Sequence, residues 1–160
     1  MPDSRARPVV TLRPVVGEDL PAFYEQQLDP EANAMAVANP RTAEAFREHW
    51  DRTLVDPAVT IRAVLADGEL VGQIACFPMD GVDAVGYSIA REHWGRGIAT
   101  RALALLIVEV SARPLHARVA RANVGSIRVL ERCGFVAVGG GMSEATERFP
   151  ACEEVFLELG

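Results

Sequence analysis

The chain contains no lysine; all 16 of its Lys-or-Arg positions are arginine. A Walker A loop, which ends in Gly-Lys-Ser/Thr, is therefore excluded. Long apolar runs are missing too. None approaches the roughly 20 residues that a helix needs to cross a bilayer, so no membrane partner is expected. Met1 to Arg7 lacks the apolar core of a signal peptide, and Cys76, Cys133 and Cys152 make neither an even disulfide set nor a CxxC pair. A reducing, cytoplasmic setting is the expectation. Cys76 lies in an apolar run and Cys133 just before a glycine, the usage of small buried hydrophobes rather than nucleophiles. His49 and His116 have no partners at metal-ligand spacing, so no metal is expected; Glu92 and His93, beside a glycine-rich turn, read as solvent-facing turn residues. A pI near 5.1 is far from the basic balance of a protein that neutralises a phosphate backbone, which argues against nucleic acid.

What is present fits one α/β domain spanning 1–160, since 160 residues suffice for one core and leave little room for a second. Charge is distributed unevenly. Arg91 to Arg132 holds eight arginines against Glu92, Glu109 and Glu131, near +5, which leaves the remainder near −11 within a net charge of −6. Such a stretch either solvates helices or serves a polyanionic small molecule.

Along the chain, Val9 to Val15 reads as a strand, Glu18 to Leu28 as a helix, Asp29 to Pro40 as a loop, and Thr42 to Leu54 as a second helix started by the Thr42 hydroxyl. Val59 to Ala66 and Glu69 to Phe77 are β-branched runs joined by Asp67-Gly68, a strong hairpin signal. Asp83 to Ala90 reads as a strand, Gly97 to Ala112 as an apolar helix and Leu115 to Ala120 as a strand. Asn123 to Cys133 reads as a short helix stopped by Gly134, followed by strands over Phe135 to Val138 and Glu154 to Leu159. Gly139-Gly140-Gly141 reads as a flexible or bulged strand end, because no helix pattern follows it.

The chemistry concentrates at Trp94-Gly95-Arg96-Gly97-Ile98-Ala99-Thr100, between a strand and a helix. Two glycines and an alanine let the backbone approach a ligand, and the first turn of a helix presents unpaired, positive N–H groups. That suits a pyrophosphate, although a tight turn needing glycine for steric reasons has the same pattern. The segment is not a full GxGxxG, because Thr100 takes the last glycine position.

Gly86-Tyr87-Ser88-Ile89, the Trp94 to Thr100 segment, Asn123-Val124-Gly125-Ser126 and Gly134-Phe135, in that order, resemble the GNAT acetyltransferase superfamily, in particular its Rim-type branch of ribosomal-protein N-terminal acetyltransferases. The motifs cover roughly residues 83 to 136. Trp94 stands where many members carry Arg or Gln, a form familiar in the Rim-type branch. The resemblance implies a mixed, mostly antiparallel sheet flanked by about four helices, binding acetyl-CoA and transferring its acetyl group to an amine by direct attack.

It implies further that backbone groups of Ser88, Ile89 and Ala90 bond the pantetheine arm, and that N–H groups of Gly95, Arg96, Gly97, Ile98, Ala99 and Thr100 hold the pyrophosphate. Asn123 and Ser126 would sit near the arm and thiol, and Arg96, Arg128 or Arg132 would pair with phosphates. Many members place a proton-donating tyrosine four residues before Gly-Phe, where this chain has Leu130; Ser126 is the remaining hydroxyl candidate. The acid often found two positions before the strand glycine is Ala84 here; neighbouring Asp83 is the remaining candidate for a general base, although by alternation it faces the other side unless a bulge intervenes. Tyr87 either shapes the pocket or packs.

Glu18 to Asp56 holds nine acids against three arginines, on helices that in this fold line the acceptor side. The expected acceptor is therefore cationic, a peptide N-terminus or a small amine, unless those acids only solvate a helix face. Missing both tyrosine and strand acid, the chain also admits a non-catalytic reading, an acyl-CoA-binding sensor. The resemblance finally implies a homodimer formed through C-terminal strands or sheet edges, with Val155 to Leu159 as a candidate edge.

Overall fold

The computed structural model describes residues 7–160. Residues 1–6, most of the stretch read above as lacking a signal-type core, lie outside the described residues. Seven strands form one sheet: β1 (Val10–Pro14), β2 (Thr60–Ala66), β3 (Glu69–Met79), β4 (Val82–Ile89), β5 (Leu115–Ala120), β6 (Val136–Met142) and β7 (Glu153–Leu159). Their order is β1-β2-β3-β4-β5-β7-β6, and every neighbouring pair is antiparallel except β4 with β5. The fold is the mixed, mostly antiparallel sheet expected. The Asp67-Gly68 hairpin closes with φ of 50° and 81°, the left-handed pair of a tight two-residue turn.

Five helices flank the sheet rather than about four: α1 (Leu20–Gln27), α2 (Pro30–Ala36), α3 (Ala43–Val55), α4 (Ile98–Glu109) and α5 (Val124–Arg132). The additional one is α2, inside the segment expected to be a loop. It buries no residue, so it carries no apolar period to read. Its start is nevertheless marked by Asp29, whose carboxylate accepts from Glu31 N at 3.0 Å, and by Pro30 at the first helical position. Thr42 caps α3 as expected, its hydroxyl accepting from Ala45 N at 3.2 Å.

The helices divide between two faces. On one, α4 sets Ile98, Ala102, Leu103 and Leu106 against Ile74, Val85, Ile89, Leu115 and Leu157 of the sheet, while α5 contributes Leu130. Gly134-Phe135 then seats a buried aromatic beneath α5. On the other face, Phe46 and Trp50 lie one turn apart on α3 and, with Phe23 of α1, cover Ile61 and Ala63. Phe23 and Trp50 stack at 5.4 Å between centroids. Between strand and helix, Asp19 is buried but paired: Arg13 donates to both its oxygens at 2.7 and 2.8 Å and Val16 N adds a third bond. The Arg13 guanidinium holds this carboxyl below the usual carboxylate range against the opposing effect of burial.

Of two expectations about the C-terminal strands, one changes and one holds. β7, offered above as an edge, is paired on both sides, with β5 and β6; the edge strand is β6, all seven of whose residues are exposed. The glycine run lies within β6, whose register shifts between Ala137 and Gly139, so it is bulged strand as expected.

β4 pairs with β3 over eight residues, from Gly72↔Ile89 to Met79↔Val82, without a register break. With β5 it pairs over two only, Asp83↔Leu115 and Ala84↔His116. Beyond them the strands part, and a V opens toward the C-terminal ends of both. Gly72 supports this opening from behind, where a Cβ would lie 2.1 Å from Ser88 O and 2.9 Å from the Ile89 side chain. Gly72→Ala is expected to destabilise the protein by about 2 kcal/mol or more through overpacking against backbone. Gly125→Ala, with nothing within 4 Å of its Cβ, is expected to be neutral or stabilising by under about 1 kcal/mol. Denaturant midpoints of the two variants check the contrast.

Candidate functional site

Three segments converge at the mouth of the V. The first is the parted side of β4. Ala90 N donates to Val71 O of β3 at 2.8 Å, and in an antiparallel ladder the residues that face a partner alternate. Ser88 and Gly86 therefore also turn their backbone groups to β3, while Val85, Tyr87 and Ile89 turn theirs toward the side β5 has left. An unpaired strand edge of this kind can bond an extended chain. Of the expected trio, Ser88 and Ala90 are thus turned away and Ile89 alone faces the opening; Tyr87 faces it as well. The Ile89 carbonyl is already engaged, accepting from Trp94 Nε1 at 2.7 Å.

The second segment is the loop into α4. Gly95 and Gly97 have φ of 79° and 73°, values that glycine alone adopts freely. A Cβ on Gly95 would meet nothing within 4 Å, so the space above the loop is open. Gly97 is the N-cap of α4 and no side chain caps this end, leaving the first-turn N–H groups and their partial positive charge for an anion. Ile98 is buried and Ala99 packs on the core, so those two offer backbone rather than side chain. Arg101 sets the loop's shape: it donates from Nε to Gly97 O at 3.3 Å, from Nη2 to Arg96 O at 2.9 Å, and from Nη1 to Pro8 O. The Thr100 carbonyl accepts from Cys133 Sγ at 3.3 Å, which ties the helix to α5.

The third segment is the start of α5. Asn123 caps it through Oδ1, accepting from Ser126 N at 3.3 Å. The Ser126 hydroxyl lies 2.7 Å from the Tyr87 hydroxyl, which also donates to Ser126 O at 3.1 Å. Burial pushes the Tyr87 phenol up to about 12, the bond with Ser126 opposing and the Cys133 thiol adding to the shift. A protonated hydroxyl pair therefore bridges β4 and α5 across the V. Leu130, at the position expected for a tyrosine, is fully buried instead. The sequence signal for Tyr87 was its strand parity with Val85 and Ile89, which is equally the signal of packing.

Asp83 is not brought into this group. It is exposed at the closed end of β4, opposite Pro78 and Leu115. The bulge that would have turned it onto the face of Ala84 is missing, since the β3–β4 ladder is unbroken.

The arginine-rich stretch resolves into separate tasks. Arg91 pairs with Asp29 at 2.7 Å and Glu31 at 2.9 Å, Arg118 with Asp80, Arg121 with Glu153, and Arg113 donates to carbonyls at the end of α4. Among the described residues Arg96, Arg128 and Arg132 remain exposed with no carboxylate partner, Arg96 lying on the loop 3.2 Å from His93 Nδ1. No group of three or more metal-ligating side chains occurs among the described residues.

The profile of the family described as Acetyltransferase (GNAT) domain matches residues 10–136. The chain belongs to the GNAT acetyltransferase family. The match takes in all three segments at the V. YdaF of Bacillus subtilis (strain 168), whose name assigns it to the ribosomal N-acetyltransferases, is 34% identical over 112 residues, 63% of this chain and 61% of that protein; the chain thus aligns with less than two thirds of YdaF. In fold, this GNAT domain is similar to the spermidine N-acetyltransferase of Vibrio cholerae solved with CoA and spermine (TM-score 0.78, 19% identity, 94% of each chain). It is likewise similar to RimJ of Mycobacterium smegmatis (TM-score 0.73, 22% identity, 95% of this chain and 82% of that one).

In this GNAT domain the folded state keeps the Tyr87 phenol neutral, whereas the unfolded chain releases its proton near pH 10.0. The resulting contribution to stability is complete below pH 10 and is lost as the pH rises toward about 12. Absorbance titrations of the protein and of Tyr87→Phe are expected to coincide through pH 10 and diverge toward 12. A phenolate contribution from Tyr87 already complete at pH 10 would overturn the assignment.

Proposed function

We propose that this GNAT domain, acting as one unit over residues 1–160, binds acetyl-CoA and transfers the acetyl group to a primary amine. The observation that carries the reading is the juxtaposition of an uncapped, glycine-opened helix N-terminus with the parted edge of β4. The two match the two chemical parts of the cosubstrate, a pyrophosphate and an amide-bearing arm. In this reading the N–H groups from Gly95 to Thr100 hold the pyrophosphate, with Arg96 and Arg128 supplying charge from the loop and from α5. Val85, Tyr87 and Ile89 pair with the arm as an added strand. Asn123 holds the start of α5 so that Ser126 meets Tyr87.

Bound acetyl-CoA supplies an acetyl group activated as a thioester. The protein's share is then positioning and proton supply. Tyr87, neutral at working pH, and Ser126 form the donor that stabilises the departing thiolate. No carboxylate serves at Ala84, so the acceptor enters as the free amine or gives its proton to water.

Calorimetric titration with acetyl-CoA, followed by thiol release across amines, tests the proposal. Gly97→Glu, which places bulk and negative charge in the cradle at a positive φ, is expected to weaken binding at least roughly 100-fold. Tyr87→Phe and Ser126→Ala are expected to lower kcat by roughly 10- to 100-fold with acetyl-CoA affinity little changed. Binding without turnover of any amine would replace this reading with the acyl-CoA sensor.

We also propose a cytoplasmic homodimer. Three unpaired cysteines support the compartment. The exposed β6 edge, with Val136, Val138 and Met142 at 60%, 57% and 70% exposure, supports the pairing. Light scattering is expected to give twice the 17.3 kDa chain mass and to return a monomer for Val138→Lys.

A further inference from the structure

Three guanidinium groups gather on the α1/α3 side of the sheet with no carboxylate among the described residues to answer them. Arg41 leads into α3, Arg52 lies on α3, and Arg148 stands between β6 and β7. His49 of α3 is surrounded by them: its pKa is pushed down to about 4, by burial first and then by the charges of Arg41, Arg52 and Arg148. Burial also lowers Arg41 and Arg148, assisted by Arg52 for the former and by Arg41 for the latter. Among the described residues none of the three forms an ion pair, while Arg13, Arg62, Arg91, Arg118 and Arg121 all do. The Nε atom of Arg148 is buried without a hydrogen-bond partner. Like charges brought together and partly desolvated oppose folding, and a buried donor left unmet adds to that cost.

The cluster is held in place, not adrift. Gln27 clamps Arg41, donating from Nε2 to Arg41 O and accepting from Arg41 N, both at 2.8 Å. Asn39 N donates to Arg148 O at 2.7 Å, Asn39 Nδ2 donates to Glu147 O at 3.1 Å, and Arg148 Nη1 donates to Asn39 O. The loop before α3 and the loop before β7 are thus stitched together around the three cations.

Its location follows from register. Ala120, the last residue of β5, pairs with Glu154 near the start of β7, so the loop carrying Arg148 emerges at the end of the sheet where β4 and β5 part. The same end receives Asp29 and Glu31, through their pairing with Arg91 just after β4. The phosphate cradle is built from α4, on the opposite face of the sheet. An acceptor approaching the V from the α1/α3 face therefore passes the arginines.

Resting on the acetyl-transfer reading above, we propose that Arg41, Arg52 and Arg148 receive an anionic group, carboxylate or phosphate, carried by the amine acceptor. This reverses the expectation of a cationic acceptor. Three of the acids behind that expectation, Asp19, Asp29 and Glu31, are spent on Arg13 and Arg91. The other six, Glu18, Glu25, Glu44, Glu48, Asp51 and Asp56, are exposed.

Initial rates with three matched acceptor pairs test the proposal: an amino acid against its carboxamide, an aminoalkyl phosphate against the amino alcohol, and an acidic dipeptide against its Asn/Gln counterpart. In at least one pair the anionic member is expected to lead in kcat/KM by roughly 10-fold, and the leading pair names the source of the anion. Arg52→Gln, at an exposed position, and Arg148→Gln are expected to erase the preference through KM, Arg148→Lys to restore part of it, and all three to bind acetyl-CoA as the unmodified protein does. Neutral or cationic amines matching their anionic partners in all three pairs would overturn the inference and leave acetyl transfer standing. So would a preference that survives both glutamine variants, or equal losses for both members of a pair. Absence of acetyl-CoA binding, or of turnover with every amine, would bring down both readings together.

Discussion

The rest of the molecule depends on two strands ceasing to pair. β4 and β5 are joined at Asp83↔Leu115 and Ala84↔His116 and nowhere beyond. Every other neighbouring pair in the sheet is bonded over five residues or more, so the parting is local and its backbone groups are left for something other than protein. It survives because each side is supported independently. β4 is held along its full length by β3, and β5 by β7, so neither strand needs the other to remain extended.

That independence shapes what surrounds the V. One face carries the long, apolar α4, whose burial fixes the helix N-terminus beside the opening, and Arg101 and Trp94 bind the intervening loop to both ends. The other face carries α3, packed through Phe46 and Trp50 on Phe23, Ile61 and Ala63, and beside it the short, unburied α2, whose surroundings are tied by polar bonds of Gln27, Asp29 and Asn39. A face built on apolar packing is rigid and suits an invariant ligand. A segment tied by exposed hydrogen bonds, as α2 and its loops are, is the more easily remodelled, and in the proposed reading acceptor choice belongs there.

Strands and buried helices were legible because their signals are local: the β-branched runs of β2 and β3, the Asp67-Gly68 turn, and the apolar run of α4. The loop proposed as the phosphate cradle was legible because glycine at φ near 75° leaves a mark in the sequence. What escaped depends on register. The parity that turns Tyr87 and Ile89, rather than Ser88 and Ala90, toward the opening is fixed by which residue of β4 bonds β3. The assembly of Arg41, Arg52 and Arg148 needs two loops about 100 residues apart to meet, and no spacing rule reports that. α2 was missed for the opposite reason: it has good caps but nothing to bury.

The cations around the proposed cradle and acceptor face are guanidinium groups throughout, from Arg96, Arg101 and Arg128 on one side to Arg41, Arg52 and Arg148 on the other. A guanidinium stays protonated at any working pH and has no lone pair to offer, so it can grip an anion without attacking an acyl donor beside it. Lysine in those places would be a nucleophile in waiting, open to self-acylation that cancels the charge the site relies on. Read as an acyl-transfer site, this lysine-free set of side chains offers a bound thioester no side-chain ammonium to acylate.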